Sequence, residues 1–161
     1  GETGDEQSPG LGYGRGGFSS KIHLACDGQG LPLAAVITGG QRHEAAFFEA
    51  LMDQVRVMQP TGRPKTRPEA VAADKAYDAK WIRQWCLQRN IESVIPTRKS
   101  TGSGAGRPPT CDEEKYEDRN VVERCVGRLK ECRRIATRFE KKARHFKAML
   151  QWAFVAEYLA V

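Results

Sequence analysis

The spacing of apolar residues along the chain changes several times, and each change predicts a different element. Residues 20–26 alternate between polar and apolar, residues 27–30 form an Asp-Gly turn, and the largely apolar residues 31–38 follow as a returning strand, which together predict a β-hairpin. From 43 to 58 the apolar residues recur every three to four positions, which predicts an amphipathic helix. Short apolar runs at 70–73 and 92–96 predict two strands on either side of a helix at 79–89. From about 118 to 161 the pattern is helical again.

This order of elements indicates the α/β class, with a mixed sheet flanked by helices. Residues 1–17 are rich in glycine and polar residues, so we expect a flexible lead-in there. The Gly, Ser and Pro residues of 99–112 predict a mobile loop. A length of 161 residues, 40% of them hydrophobic, suits one domain with a buried core. No apolar run reaches the roughly 18 residues of a membrane span, so an integral membrane protein is not expected.

Positive charge is concentrated in the second part of the chain. The net charge is +6, and residues 1–97 carry 11 basic and 11 acidic side chains, so the whole excess lies in 98–161. From Arg124 to Lys147 there are ten basic residues against two acidic ones. Such a segment can be a solvated helix face, but its charge density favours a surface that binds phosphates. Nucleic acid is therefore the first candidate partner.

Asp74 follows the apolar run at 70–73 directly, at the predicted carboxyl end of a buried strand. Ligands of open α/β sheets bind at that end of the strands, so the carboxylate is well placed for chemistry. The alternative is a capping or turn role for the helix that follows, although Asp78 fits that role better.

A second candidate is the spacing of Tyr116, Arg119, Glu123 and Lys130. On a continuous helix Glu123, Lys130 and Arg134 would share one face. A carboxylate among these basic residues is the arrangement expected if Glu123 holds a metal ion and its neighbours hold phosphates. The alternative is a solvent-exposed helix stabilised by ion pairs.

Four stretches together resemble a known family: GGFSSKIHLACD at 16–27, ADKAYD at 73–78, VIP at 94–96 and VVERCVGRLKECRRIATRF at 121–139. They are similar to the C-terminal catalytic portion of bacterial insertion-sequence transposases of the IS5 type, in the IS4/IS5 group. The resemblance implies a ribonuclease-H-like fold and an Asp-Asp-Glu (DDE) triad that binds two Mg²⁺ or Mn²⁺ ions. Asp74 would be the second acid and Glu123 the third, with Tyr116, Arg119 and Lys130 as accessory residues.

The first acid of that triad has no clear counterpart. In the resembled fold it lies on the first of three antiparallel strands, whereas only two strands are predicted before the helix at 43. Asp27 is the alternative, but its Asp-Gly setting favours a hairpin role. Residues 18–161 are therefore expected to be a partial catalytic domain without its first strand and first acid. Such a chain could be a truncated copy or the downstream product of a split reading frame.

The resemblance implies DNA cleavage and strand transfer at insertion-sequence ends, with the Asp74 and Glu123 carboxylates less than about 8 Å apart around one metal pair. Two alternatives remain: a non-catalytic basic DNA-binding or regulatory module, and a ribonuclease-H-like nuclease of the host. The expected partners are double-stranded DNA and a second copy or an upstream-frame product, in a bacterial cytoplasm near the nucleoid. The odd number of cysteines, five, makes a disulfide framework unexpected and favours such a reducing compartment. The expected DNA-binding residues are Arg124, Arg128, Arg133, Arg134, Arg138, Lys141 and Lys142.

Overall fold

The computed structural model describes residues 12–14, 17–97, 111–140 and 142–160. The chain divides into two compact units, the first made of residues 1–42 and 121–161 and the second of residues 43–120. The described strands are β1 (Gly12–Gly14), β2 (Gly17–Cys26), β3 (Pro32–Gly39), β4 (Ala70–Ala72) and β5 (Glu92–Val94). The described helices are α1 (Phe48–Met52), α2 (Lys80–Gln88), α3 (Glu113–Glu117), α4 (Asn120–Glu131), α5 (Arg133–Ala136) and α6 (Ala143–Leu159).

The first unit is built on an antiparallel sheet in the order β1-β2-β3. The predicted hairpin is confirmed, because β2 and β3 pair with Ile22 opposite Ile37 and Leu24 opposite Ala35. Side chains alternate between the two faces of a strand, so these four residues lie on one face. That face packs against the helices, and the buried core between them contains Cys125, Leu129, Ile135, Phe146 and Leu150.

Strand β1 is a feature that the sequence does not predict. It pairs with the start of β2, so the described residues before α1 contain three strands rather than two. Its three residues are Gly-Tyr-Gly, too few and too poor in apolar side chains to produce an alternating pattern. It lies inside the segment expected to be a flexible lead-in, of which residues 1–11, 15 and 16 lie outside the described residues.

The helix predicted over 43–58 is wrong in its extent. A single 3-10 turn at Ala45–Phe47 leads into α1, which ends at Met52. The apolar side chains that follow belong to an irregular segment in which Val57 forms an isolated bridge with Lys65. Two β-branched residues, Val55 and Val57, and the nearby Pro60 oppose continuation of the helix.

The second unit places α2 against a two-stranded parallel sheet of β4 and β5. Both strands and the helix between them are confirmed, although Val71 and Ala72 are half-buried rather than buried. Phe48 contacts Trp85 edge to face, with ring centroids 5.3 Å apart. The buried core of this unit contains Ala45, Phe48, Met52, Ile82, Cys86, Ile91 and Ile95.

The α/β class is confirmed, whereas the single mixed sheet is not what the structure contains. The strands that the structure describes form two sheets, one antiparallel and one parallel. In those described strands, β4 has only one neighbour, β5. Of the loop predicted at 99–112, residues 99–110 lie outside the described residues. Among the described helices, none has the length and apolar character needed to cross a bilayer.

Candidate active site and nucleic-acid interface

Asp74 stands just beyond the carboxyl end of β4, as the sequence predicts. The strand direction continues to Ala73, whose N–H donates to the Val94 carbonyl at 3.2 Å. Asp74 is exposed and extended, and its carboxylate accepts a hydrogen bond from the Ala76 N–H. It therefore caps the 3-10 turn Lys75–Tyr77 while its side chain remains accessible to solvent.

Asp78 does not have the capping role that the sequence favours for it. The N-cap of α2 is Ala79, and Asp78 instead forms an ion pair with Arg83 at 2.9 Å. The same guanidinium donates to the Ile95 carbonyl at 2.7 Å. These contacts link the segment after Asp74 to the residue that follows β5.

Tyr77 lies three residues after Asp74 and is partly buried against the core of the second unit. Burial raises the pKa of Tyr77 to about 12, and the negative charges of Asp74 and Glu44 add to the effect. The phenol is therefore neutral at physiological pH and can act there as a hydrogen-bond donor.

Glu123 lies in the first turn of α4 and is exposed. A carboxylate in this turn is stabilised by the N-terminal end of the helix dipole, so it contributes to the helix whether or not it binds a metal. The buried face of α4 carries Cys125 and Leu129, and Lys130 is exposed two turns after Glu123.

The accessory residues do not all lie on one helix. Tyr116 belongs to α3, and Arg119 lies in the link before α4, with its guanidinium 5.4 Å from the centroid of the Tyr116 ring. Arg134 belongs to α5, because α4 ends at Glu131. The shared face of Glu123, Lys130 and Arg134 on a continuous helix is therefore wrong for Arg134.

Asp27 is at the tip of the β2–β3 hairpin, as its Asp-Gly context predicts. One carboxylate oxygen accepts from the backbone N–H groups of Gln29 and Leu31, both at 2.9 Å. The Gly30 N–H donates to the Asp27 carbonyl at 3.0 Å, and Gly30 has a φ of +85° that favours glycine. This carboxylate is used by the turn.

Arg128 is engaged inside the first unit. Its guanidinium forms an ion pair with Glu157 of α6 and donates to the Gly30 carbonyl at 2.7 Å. The hydrogen bond with Glu157 raises the pKa of Arg128. The residue joins the hairpin turn, α4 and α6, so its position favours a structural role over the expected contact with DNA.

Some of the other basic residues contact neighbouring side chains within the first unit, and others are exposed without such a contact among the described residues. Arg134 pairs with Glu140 at 2.8 Å, and Arg138 donates to the Ser20 hydroxyl and lies over the Phe146 ring. Burial lowers the pKa of Arg138. Lys141 lies outside the described residues. The remaining members of the expected set, Arg124, Arg133 and Lys142, are exposed.

Carboxylate oxygens are the ligands that Mg²⁺ and Mn²⁺ prefer, so Asp74 and Glu123 have the right chemistry for these ions. Across the part of the chain that the structure describes, however, no three His, Cys, Asp or Glu side chains group together as a metal site. Asp74 belongs to the second unit and Glu123 to the first, so their expected separation remains a prediction.

The structure thus has an exposed acid after a strand of the second unit and another on a helix of the first unit, with basic residues along that helix. The chain belongs to the Transposase DDE domain family, whose model matches residues 2–156. The resemblance to insertion-sequence transposases is thereby confirmed.

Two relatives give the same result. The chain is 37% identical over 126 residues to a Burkholderia cepacia protein named as a transposase for insertion sequence element IS402, covering 77% of this chain and 55% of that protein. It is 29% identical over 141 residues to a Brucella ovis protein named as a transposase for IS6501, covering 84% of this chain and 95% of that protein. The chain thus spans about half the length of the first relative and nearly all of the second. No solved structure matches the chain.

One further feature of this region, the turn between α5 and α6, is not predicted from the sequence. Arg138 there has a φ of +46°, and the next residue, Phe139, is 71% exposed. No glycine marks the turn, so the usual sequence signal for a left-handed residue after a helix is missing.

Proposed function

We propose that this chain is the catalytic portion of a DNA transposase that cleaves and joins DNA strands at the ends of an insertion sequence. The observation that carries the proposal is the family match over residues 2–156, which includes both candidate acids. The position of Asp74 after β4 and the exposure of Glu123 on α4 support it.

In this proposal Asp74 and Glu123 are the second and third acids of a ribonuclease-H-like DDE domain. Their carboxylates would hold two divalent cations, which supply an activated water and stabilise the leaving oxygen. Lys130 and Arg119 would bind phosphate oxygens near the acids, and Tyr116 would orient them. The first acid of the triad is proposed to be missing from this chain, because Asp27, the alternative, is used by its hairpin.

Duplex DNA would lie along the exposed basic residues of α4, α5 and the start of α6. Arg124, Arg133 and Lys142 are exposed there and can reach phosphates without breaking a contact inside the fold. We further propose that the chain works with a second copy or an upstream-frame product, in a bacterial cytoplasm near the nucleoid.

The proposal is tested with the whole chain, by Mn²⁺ titration and by nicking of supercoiled DNA. Asp74→Asn and Glu123→Gln remove a charge but keep the shape of each side chain. The matched controls are Asp53→Asn and Glu131→Gln, which alter exposed acids of the second unit and of α4. Mn²⁺ binding should weaken about tenfold or more in the first pair and remain unchanged in the controls, because hard cations need these oxygen ligands.

The wild-type chain should bind duplex DNA in a salt-sensitive manner and nick it poorly, since two carboxylates are one ligand short of the triad. Strong nicking that either variant abolishes would show that the chain supplies its own third acid. Equal Mn²⁺ affinity in all five proteins, with DNA binding intact, would instead favour the non-catalytic DNA-binding module.

A further inference from the structure

The turn that follows α5 has an unusual residue at its central position. The Arg138 N–H donates to the Ile135 carbonyl and the Phe139 N–H to the Arg134 carbonyl, both at 3.2 Å. This pair of bonds forms a Schellman motif, whose left-handed position glycine usually occupies. Arginine is here instead, and a side chain with a Cβ is strained in this left-handed conformation.

The conformation of Arg138 is retained because its side chain is anchored in the first unit. The guanidinium donates to the hydroxyl of Ser20 on β2 and lies 5.0 Å from the centroid of the Phe146 ring. Phe146 is a buried residue of the helical core. The turn is therefore fixed at both its backbone and its side chain, and the position of the following residue is fixed with it.

Phe139 projects from this fixed turn into solvent. In a Schellman motif the residue at its position commonly makes an apolar contact with the last turn of the helix. Here the corresponding residue is Arg134, whose guanidinium lies 5.2 Å from the centroid of the Phe139 ring. The ring remains 71% exposed, so most of its apolar surface is available to a partner.

The surroundings of the ring are basic. Arg133 and Lys142 are exposed on either side of the turn, and the Arg134 side chain is 56% exposed although it pairs with Glu140. A single exposed apolar residue is ordinary on a protein surface. Here a strained turn keeps an aromatic ring in solvent among cationic side chains. Proteins bind unpaired nucleic acid bases with this combination, because the ring stacks on a base while the cations contact phosphates.

We propose that Phe139 stacks on a nucleobase that has left the helical stack of the bound DNA, such as a base at an opened strand end. The inference rests on the proposed function, because it requires DNA along the basic surface of α5 and α6. In this arrangement Arg134 contacts one part of the ring and the nucleobase stacks on another part. The exposed side chains of Arg133 and Lys142 bind the adjoining phosphates. Stacking of this kind tolerates any base, so it selects for opened DNA rather than for sequence.

Binding of the whole chain to three labelled oligonucleotides of equal length tests the proposal: a duplex, the same duplex with an unpaired end, and a single strand. Phe139→Ala should weaken binding to the forked and single-stranded probes about tenfold and leave duplex binding within about twofold. Phe139→Trp should retain wild-type preference, whereas Phe139→Leu, which is apolar but not aromatic, should behave like the alanine variant. Lys142→Ala is the control and should weaken all three probes and lower the salt slope by about one.

A second readout does not depend on the variants' affinities. A 2-aminopurine placed at the opened end should lose fluorescence on binding wild-type protein and not on binding Phe139→Ala at saturating concentration. If Phe139→Ala matches the wild type in affinity and in quenching, the stacking role is wrong while DNA binding stands. If the wild type binds none of the probes in a salt-dependent manner, the proposed function itself fails. Thermal melts of each variant ensure that the comparison is made between folded proteins.

Discussion

At Asp27 a single carboxylate oxygen satisfies two backbone N–H groups of the hairpin turn. Hydrogen bonds to a charged acceptor contribute more than neutral ones, so Asp27→Ala should lower the free energy of unfolding by about 2 kcal/mol. Asp27→Asn keeps an acceptor oxygen and should lose less than about 1 kcal/mol. Urea unfolding followed by circular dichroism measures both, and an alanine variant as stable as the wild type would contradict the turn role.

Tyr77 makes stability depend on pH in the alkaline range. Its pKa rises from an ordinary value of 10.0 to about 12 in the folded protein, first because of burial and then because of Asp74. The folded state therefore favours the protonated phenol, and this contribution is complete below pH 10 and is lost as the pH rises towards 12. Tyr77→Phe removes the titration.

Between pH 10 and 12, the unfolding free energy of the wild type should fall by about 2 kcal/mol more than that of Tyr77→Phe. Chemical unfolding of both proteins at several alkaline pH values measures the difference. Parallel pH profiles for the two proteins would mean that the phenol is not shielded from solvent in the folded state.

Single residues could be assigned from sequence where chemistry is local. The Asp-Gly turn identifies the role of Asp27 because its partners are within four residues along the chain. The engagement of Arg128 could not be predicted in this way, since its partners Gly30 and Glu157 are 98 and 29 residues away. A basic side chain in a basic segment has the same sequence signature whether it binds DNA or forms an ion pair within the protein.

At the scale of elements, the sequence predicts a segment correctly where its apolar pattern fits only one kind of structure. The hairpin β2–β3, the helix α2 and the parallel pair β4–β5 each have a clear period or a bounded apolar run. The helix at 43–58 fails beyond Met52 because a period of three to four residues also fits an irregular segment, in which Val55 is buried. Strand β1 forms through pairing with β2, a contact that no local pattern of three residues can reveal.

Two arginines on α4 separate the structural from the DNA-binding contribution of this helix. Arg128 joins α4 to α6 and to the hairpin turn, whereas Arg124 is exposed. Arg128→Ala should therefore lower the unfolding free energy by about 1 to 2 kcal/mol, because a part-buried ion pair and a hydrogen bond are lost. Arg124→Ala should change it by less than about 0.5 kcal/mol and should weaken DNA binding instead.

Urea unfolding of both variants measures the unfolding free energy, and a salt titration of DNA binding measures the slope of log affinity against log salt. A further check is Glu157→Gln, which should destabilise the protein as Arg128→Ala does and leave the salt slope unchanged. If Arg128→Ala is as stable as the wild type but loses affinity for DNA, Arg128 contacts phosphate rather than Glu157.

At the scale of the whole molecule, charge is divided unequally between the two units. The first unit carries 13 basic and 8 acidic residues, a net charge of +5, and the second carries 13 and 12, a net charge of +1. The number of basic side chains is thus equal, and the difference lies in the acids beside them. A surface that binds phosphates is favoured where basic side chains are not neutralised by neighbouring acidic ones. The first unit meets this condition.

Two fourfold variants with the same net charge locate the DNA surface. The first variant replaces four exposed basic residues of the first unit with alanine: Arg124, Arg133, Lys142 and Arg144. The second replaces four exposed basic residues of the second unit in the same way: Arg63, Lys65, Arg67 and Lys80. Both variants lower the net charge from +6 by the same four charges, so long-range attraction to DNA falls equally in the two. Only lost phosphate contacts can then distinguish them. If four contacts are lost, the slope of log affinity against log salt should fall by about 3 to 4 in the first variant, and by less than about 1 in the second. Fluorescence anisotropy with a duplex probe between 50 and 200 mM salt measures both slopes, and equal losses would place part of the DNA surface on the second unit.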